Sequence, residues 1–192
     1  VVTEVDFSSL FHVNLPFTRS IFSGERFNYG VEALVPVKYL EDFPIFTALL
    51  SYDLNTGYKY LHTSGPVAQA VQGPYAMPAL FPGIQLGDAF LIDAGIQELI
   101  PARAARILGA EIVISTTAFD ELPFTDYDNP LRTVMRLVEL VKANYSMPIV
   151  EAYSDIVIAL DVGQHSLMDL HRGQMFVDIG YEATLRQMPE IL

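Results

Sequence analysis

Short apolar runs alternate with amphipathic segments along the 192-residue chain, and this alternation constrains the fold more than any other feature. Residues 44–54 and 57–63 have the pattern of two strands joined by the turn Asn55-Thr56-Gly57. Further buried strands are predicted at 89–93, 111–116 and 155–160. Because helices are predicted between the later strands, crossover connections are expected. The pattern therefore predicts an α/β fold with a mostly parallel sheet.

Three helices have recognisable boundary signals. Residues 101–109 begin with proline and end with glycine, the usual asymmetry of helix termini. A second helix begins at Pro130, with Asp128 or Asn129 as its N-cap, and a third is predicted over about 174–188. The apolar positions of the second helix recur at helical spacing, at Leu131, Val134, Met135, Val138 and Val141.

Composition excludes several classes of function. The net charge is -12 with only 11 lysines and arginines, so a nucleic-acid partner is not expected. The absence of cysteine excludes disulfides, thiolate zinc sites and cysteine nucleophiles. No apolar run approaches the ~18 residues of a transmembrane helix. With 51% hydrophobic residues, the chain is expected to be a soluble single domain with one core, in a compartment that composition leaves open.

The first residues, VVTEVDFSSL, contain neither an initiator methionine nor a signal-type apolar segment. The first methionine is Met77, well inside the predicted domain. The chain is therefore expected to be part of a longer product.

Asp93 is the candidate functional residue that the predicted fold singles out. It ends the strand 89–93 and precedes Ala94 and Gly95, two small residues that allow a tight turn. Ligands of open parallel sheets gather beyond the carboxyl ends of strands, where this side chain reaches a cleft. The alternative is that Asp93 only caps its own turn, a common role for aspartate. Position alone favours the turn role.

A longer stretch, residues 65–116, resembles the second half of the patatin-like phospholipase domain in order and spacing. The corresponding segments are Ala76-Met77-Pro78-Ala79-Leu80-Phe81, Asp93-Ala94-Gly95, Leu99-Ile100-Pro101-Ala102-Arg103-Ala104 and Gly109-Ala110. The segments before and after this block are similar to bacterial patatin-like and neuropathy-target-esterase-like proteins. The resemblance covers nearly the whole chain and identifies residues 1–192 as the C-terminal portion of a single patatin-like domain.

The resemblance implies a three-layer α/β fold of the FabD/lysophospholipase-like type and hydrolysis of lipid acyl esters by a serine–aspartate dyad. Asp93 takes the place of the catalytic aspartate, and Ala94 and Gly95 take the place of the turn that supports it. Phospholipids or other acyl esters are the implied substrates, with peripheral membrane contact and without cofactor or metal. None of the serines lies in a G-x-S-x-G motif; Ser23 and Ser64 have only one adjacent glycine.

The nucleophilic serine is therefore expected upstream or on a companion chain, so that this chain alone is inactive. The alternative is a noncatalytic patatin-like domain that binds a lipid or a protein.

Two other groups of residues are candidates for a metal site and an acyl pocket. A metal site is one interpretation of Asp161, His165, Asp169 and His171, but their spacing is not that of a known ligand set, and a solvated loop is favoured. The aromatic residues near the start of the chain either line an acyl pocket or pack in the protein interior. Packing is the default interpretation. These residues are Phe7, Phe11, Phe17, Phe22, Phe27 and Tyr29.

Overall fold

The computed structural model describes residues 20–118, 129–162 and 172–192. The chain forms two compact units, one ending at Ala94 and the other continuing from Gly95. Both units contain helices and strands, which confirms a mixed α/β protein. No helix in the described part of the chain is long and apolar enough to cross a lipid bilayer.

The described residues of the unit ending at Ala94 form two helices, a short 3-10 helix and a four-stranded sheet. Its elements are α1 (Glu25–Leu34), the 3-10 helix Leu40–Asp42, β1 (Leu49–Asp53), β2 (Lys59–His62), α2 (Val67–Tyr75), β3 (Ile84–Leu86) and β4 (Ala89–Asp93). The strand order is β2-β1-β4-β3, and every neighbouring pair is antiparallel. The sequence predicted a mostly parallel sheet, and this sheet differs because tight turns join β1 to β2 and β3 to β4. Such turns connect only antiparallel strands.

The turn between β1 and β2 lies where the sequence predicted it. Gly57 adopts a left-handed φ of 76°, and Tyr52 pairs with Lys59. Asp53 holds this turn: its carboxylate accepts hydrogen bonds from Thr56 Oγ1 at 2.6 Å and from the Phe90 amide of β4 at 2.9 Å. The hydrogen bond from Thr56 is the main reason why the pKa of Asp53 is lowered. Asp53 therefore has the purely structural role that aspartates often take in turns.

Helix α2 packs against β1 and β4, whereas α1 packs against α2. The buried core between these elements includes Leu40, Val67 and Ala70. Side chains on alternate strand positions point to the same face, so Leu49, Ser51 and Asp53 share one face of β1. The contact of α2 with Ser51 shows that this is the face covered by α2.

The unit from Gly95 onward contains a parallel strand pair and three helices. Its elements are the 3-10 helix Ala94–Ile96 at the junction, α3 (Ala102–Ile107), β5 (Ile114–Thr117), α4 (Pro130–Tyr153), β6 (Ile156–Ala159) and α5 (Gly173–Ile191). β5 and β6 pair in parallel, with Ile114 opposite Ile156. Since α4 connects the two strands, the predicted crossover connection is confirmed here.

Helix α3 begins and ends close to its predicted signals. It starts directly after Pro101, and Gly109 follows it with a left-handed φ of 95°. The buried carboxylate of Glu98 accepts hydrogen bonds from the Ala104 amide at 3.2 Å and from Arg103 at 3.3 Å. An acidic group at the N-terminal end of a helix accepts hydrogen bonds from amides that have no partner within the helix.

Helix α4 has the predicted cap, but two of its five predicted apolar positions are exposed. Asn129 accepts a hydrogen bond from the Arg132 amide at 3.0 Å, which confirms it as the N-cap. Val134 and Val141 are 55% and 46% exposed. The buried positions Lys142, Ser146 and Val150 follow one another at spacings of four residues. Helical periodicity predicts that one side is buried, but packing decides which side it is.

Candidate functional site

Asp93 is the last residue of β4 and lies next to β1, the central neighbour in the sheet. It pairs with Ser51, so the side chains of both residues lie on the same face. The Asp93 side chain is half-buried. Its backbone amide donates a hydrogen bond to the Ala76 carbonyl at 3.0 Å. The backbone of Asp93 is thus fixed both by strand pairing and by the segment that follows α2.

Two of the four segments that carry the patatin-like resemblance meet at this hydrogen bond. Ala76 begins the segment 76–81, and Asp93 begins the segment 93–95. Ala76 and Ala94 are almost fully buried, which places two small side chains close to the ends of these segments. Ala76 and Asp93, which are 17 positions apart in the sequence, therefore bring their segments into one local structure around Asp93.

The turn after Asp93 suits the residues found there. Ala94 is the first residue of the 3-10 helix and does not adopt a left-handed φ, so alanine fits there without backbone strain. Gly95 belongs to the second unit. Its carbonyl accepts a hydrogen bond from Ser146 Oγ at 3.3 Å, and Ser146 Oγ in turn accepts one from the Leu99 amide at 3.1 Å.

Ala79 lies in the segment 76–81 and has a left-handed φ of 68°. Among the described residues, it is the non-glycine residue with this conformation. This conformation costs an alanine about 1 kcal/mol because its Cβ approaches the backbone. The strain lies three residues from the carbonyl that holds Asp93. Strained backbone is commonly found near functional sites.

We expect Ala79→Gly to raise the free energy of unfolding by about 0.5 kcal/mol, because relief of strain exceeds the added freedom of the unfolded chain. Ala143→Gly is the matched control: it lies within α4, where glycine should cost about 1 kcal/mol. Urea unfolding followed by circular dichroism measures both changes. Destabilisation by Ala79→Gly would contradict the strain at this position.

A buried serine–histidine pair lies beside Asp93, and sequence analysis did not identify it. Ser51 Oγ and His62 Nε2 are 2.8 Å apart. Ser51 is 0% and His62 5% exposed. Burial lowers the pKa of His62 from its ordinary value of 6.5 to about 4, so the imidazole is neutral at pH 7. The ring of Tyr60 contacts the imidazole at a centroid distance of 4.8 Å.

This pair has the contact of an activated nucleophile but lacks its accessibility. A neutral histidine within hydrogen-bonding distance of a serine hydroxyl is a common catalytic arrangement. However, Ser51 is fully buried, and the backbone of Gly73 in α2 lies directly against its hydroxyl. No substrate carbonyl can approach Ser51 in this packing. The sequence predicted this hairpin but not its register; in the structure Ser51 faces Tyr60, and His62 lies two residues further on the same face.

Near the start of the chain, Phe22 and Phe27 pack against α2 and the segment after it, whereas the packing interpretation is wrong for Tyr29. Phe27 stacks on Tyr75 and Phe22 on Phe81, with centroid distances of 3.6 and 5.3 Å. Burial raises the pKa of Tyr75. Tyr29 is exposed. The predicted packing role is thus confirmed for Phe22 and Phe27, while Phe7, Phe11 and Phe17 lie outside the described residues.

Of the four residues considered as metal ligands, only Asp161 is described, and it is exposed. His165, Asp169 and His171 lie outside the described residues. Within residues 20–118, 129–162 and 172–192, no three histidine or carboxylate side chains are placed to hold a metal ion.

Helices packed on strands in both units define a mixed α/β protein, whose candidate site is an aspartate at a strand end. No family model matches the sequence. The chain is similar to patatin-like phospholipase domain-containing protein ZK370.4 of Caenorhabditis elegans, with 29% identity over 117 residues, 58% of this chain and 9% of that protein. It is also similar to patatin-like phospholipase domain-containing protein 7 of Rattus norvegicus and of Mus musculus. Each is 25% identical over 127 residues, which cover 64% of this chain and 9% of the relative.

The chain thus spans about a tenth of the length of the curated relatives it matches. These similarities support the resemblance to patatin-like phospholipases.

Proposed function

We propose that the intact protein hydrolyses lipid acyl esters, phospholipids among them, and that Asp93 is the general base of a serine–aspartate dyad. Residues 1–192 would be the C-terminal portion of the patatin-like domain. The serine would lie outside these residues, because no G-x-S-x-G motif occurs within them. Its hydroxyl oxygen would attack the ester carbonyl while its proton passes to the Asp93 carboxylate. Backbone amides would stabilise the resulting oxyanion.

One observation carries this proposal: the Asp93 amide is hydrogen-bonded to the Ala76 carbonyl, which joins two of the four segments of the patatin-like resemblance. A general base must be held within hydrogen-bonding reach of the proton it accepts. The pairing with Ser51 and the bond to Ala76 hold the Asp93 backbone in a defined place. The half-buried side chain retains access to a reactant, unlike the fully buried Ser51.

We expect the 192-residue chain alone to show no hydrolysis of a short-chain nitrophenyl ester above background, because none of its serines lies in a G-x-S-x-G motif. A fluorophosphonate probe should label the intact protein on a serine outside residues 1–192 and leave the isolated chain unlabelled. Peptide mass spectrometry identifies the labelled residue. Turnover by the isolated chain, abolished by Ser51→Ala, would show that Ser51 is the nucleophile.

The alternative is a noncatalytic patatin-like domain that binds a lipid or a protein. It is favoured by the burial of Ser51 and by the absence of a nucleophile motif from these residues. The same labelling experiment separates the two proposals, since a noncatalytic protein would show neither labelling nor ester turnover in its intact form.

A further inference from the structure

Ser51, His62 and Gly73 form a buried contact between the sheet and α2, which we name the α2 seat. Ser51 lies on β1, His62 on the neighbouring β2, and Gly73 near the end of α2. The hydrogen bond between Ser51 and His62 satisfies two polar groups that would otherwise be costly to bury. A buried polar pair of this kind permits only a narrow range of arrangements.

Glycine at position 73 allows the helix to approach this pair closely. A Cβ added to Gly73 would overlap the Ser51 hydroxyl and lie 3.4 Å from His62 Nε2. The Ser51 side chain is fully buried, so it has little room to move away. The backbone of α2 therefore rests directly on the serine–histidine pair, at a distance that any larger residue would change.

The end of α2 leads from this contact to Asp93. The Ala76 amide donates a hydrogen bond to the Gly73 carbonyl at 3.0 Å. The position of the Ala76 backbone therefore depends on that of Gly73. Ala76 is 0% exposed, and its carbonyl accepts the hydrogen bond from the Asp93 amide. On the other side, Ser51 is the strand partner of Asp93. The α2 seat therefore contacts both elements that hold the Asp93 backbone, the strand β1 and the end of α2.

We propose that Ser51, His62 and Gly73 are positioning residues for Asp93: they seat α2 on the sheet so that the Ala76 carbonyl holds the Asp93 amide. The catalytic importance of this arrangement rests on the proposed function of Asp93. Displacement of a catalytic group by about 1 Å can lower a rate by about a hundredfold. The seat would act through position alone, since its own serine is inaccessible to substrate.

The first test compares two glycine substitutions in the intact protein. Gly73→Ala is expected to lower kcat by about tenfold or more with KM changed less than about threefold. It should also accelerate hydrogen exchange of the Asp93 amide by about tenfold or more, because the bond to Ala76 is weakened. The matched control is Gly180→Ala in α5, where an added Cβ has no atom within 4 Å. This control should leave kcat and the exchange of Asp93 unchanged.

The second test changes the histidine and remains informative if Gly73→Ala does not fold. His62→Leu removes the partner of Ser51 and should lower kcat and accelerate exchange at Asp93. His62→Gln keeps a hydrogen-bonding amide near the position of Nε2 and should restore most of both properties. If the role of His62 were merely structural, both variants would be less stable, but the folded fraction of each would have the same kcat.

The outcomes separate failure of the seat from failure of the proposed function. Normal exchange at Asp93 in folded Gly73→Ala or His62→Leu would overturn the positioning role, as would accelerated exchange with unchanged kcat in an enzyme that depends on Asp93. If Asp93→Asn keeps full turnover, the proposed function is wrong, and exchange at Asp93 alone then decides whether the seat holds this residue.

Discussion

Replacement of Asp93 by asparagine in the intact protein is expected to lower kcat by about a hundredfold or more, the scale typical of losing a general base. In the proposed dyad, asparagine would keep the shape of the side chain but could not accept the serine proton. KM should change much less, because the ground-state contacts with the substrate remain. Steady-state kinetics with a fluorogenic phospholipid or a short nitrophenyl ester measures both constants.

Asp88→Asn is the matched control for this experiment. Asp88 lies in the turn before the same strand, β4, and is exposed. The chemical change is identical, but its side chain lies at the opposite end of the strand, so kcat should remain within about twofold of wild type. Near-normal turnover by a correctly folded Asp93→Asn variant would establish the turn role that the position of Asp93 alone favours.

The stability of the protein is expected to fall by about 1 to 2 kcal/mol between pH 7.5 and pH 5, with His62 as the cause. The folded protein holds this pKa at about 4, whereas the unfolded chain has the ordinary value of about 6.5. Between these values the unfolded state binds the proton and the folded state does not, so acid favours unfolding. The contribution is complete above about pH 6.5 and is lost as the pH falls toward 4. Residual contact with water reduces its size.

Urea unfolding at the two pH values, followed by far-ultraviolet circular dichroism, measures this dependence. His62→Gln retains a hydrogen-bonding group but cannot gain the proton, so most of the difference between pH 7.5 and pH 5 should disappear. Ser154→Ala removes another serine contact, the 2.7 Å bond to Ser115, without changing a titrating group. It should lower stability equally at both pH values. The same pH dependence in His62→Gln and wild type would exclude His62 as its source.

Much of the secondary structure could be predicted because its signals are local. The strand 89–93 has the predicted limits, and the turn at Asn55-Thr56-Gly57 is where glycine permits a left-handed φ. Asn129 caps α4 as its position before proline indicated. The helices α1 and α2 and the strand β3 were not predicted, since they lack strong boundary signals or are short. Pro74 lies inside α2, where proline is normally unfavourable.

The candidate site was predicted only in part. Sequence placed Asp93 at a strand end and next to a small-residue turn, and the structure agrees. The catalytic role of Asp93 stays a prediction. Ser51 and His62 were missed because neither lies in a recognisable motif and their contact depends on the pairing of two strands.

By itself, the sequence determined the limits of the strand 89–93, the turn at residues 55–57 and the starts of α3 and α4, and it placed Asp93 at the end of β4. Residues adjacent along the chain decide these features. Tertiary structure decided that β1 and β4 pair in antiparallel orientation and that Lys142, Ser146 and Val150 form the buried side of α4. It also brought Gly73 against Ser51 and Ala76 against Asp93. The physical reason is that such contacts join residues far apart in the chain, whose meeting depends on the packing of whole elements rather than on any local pattern.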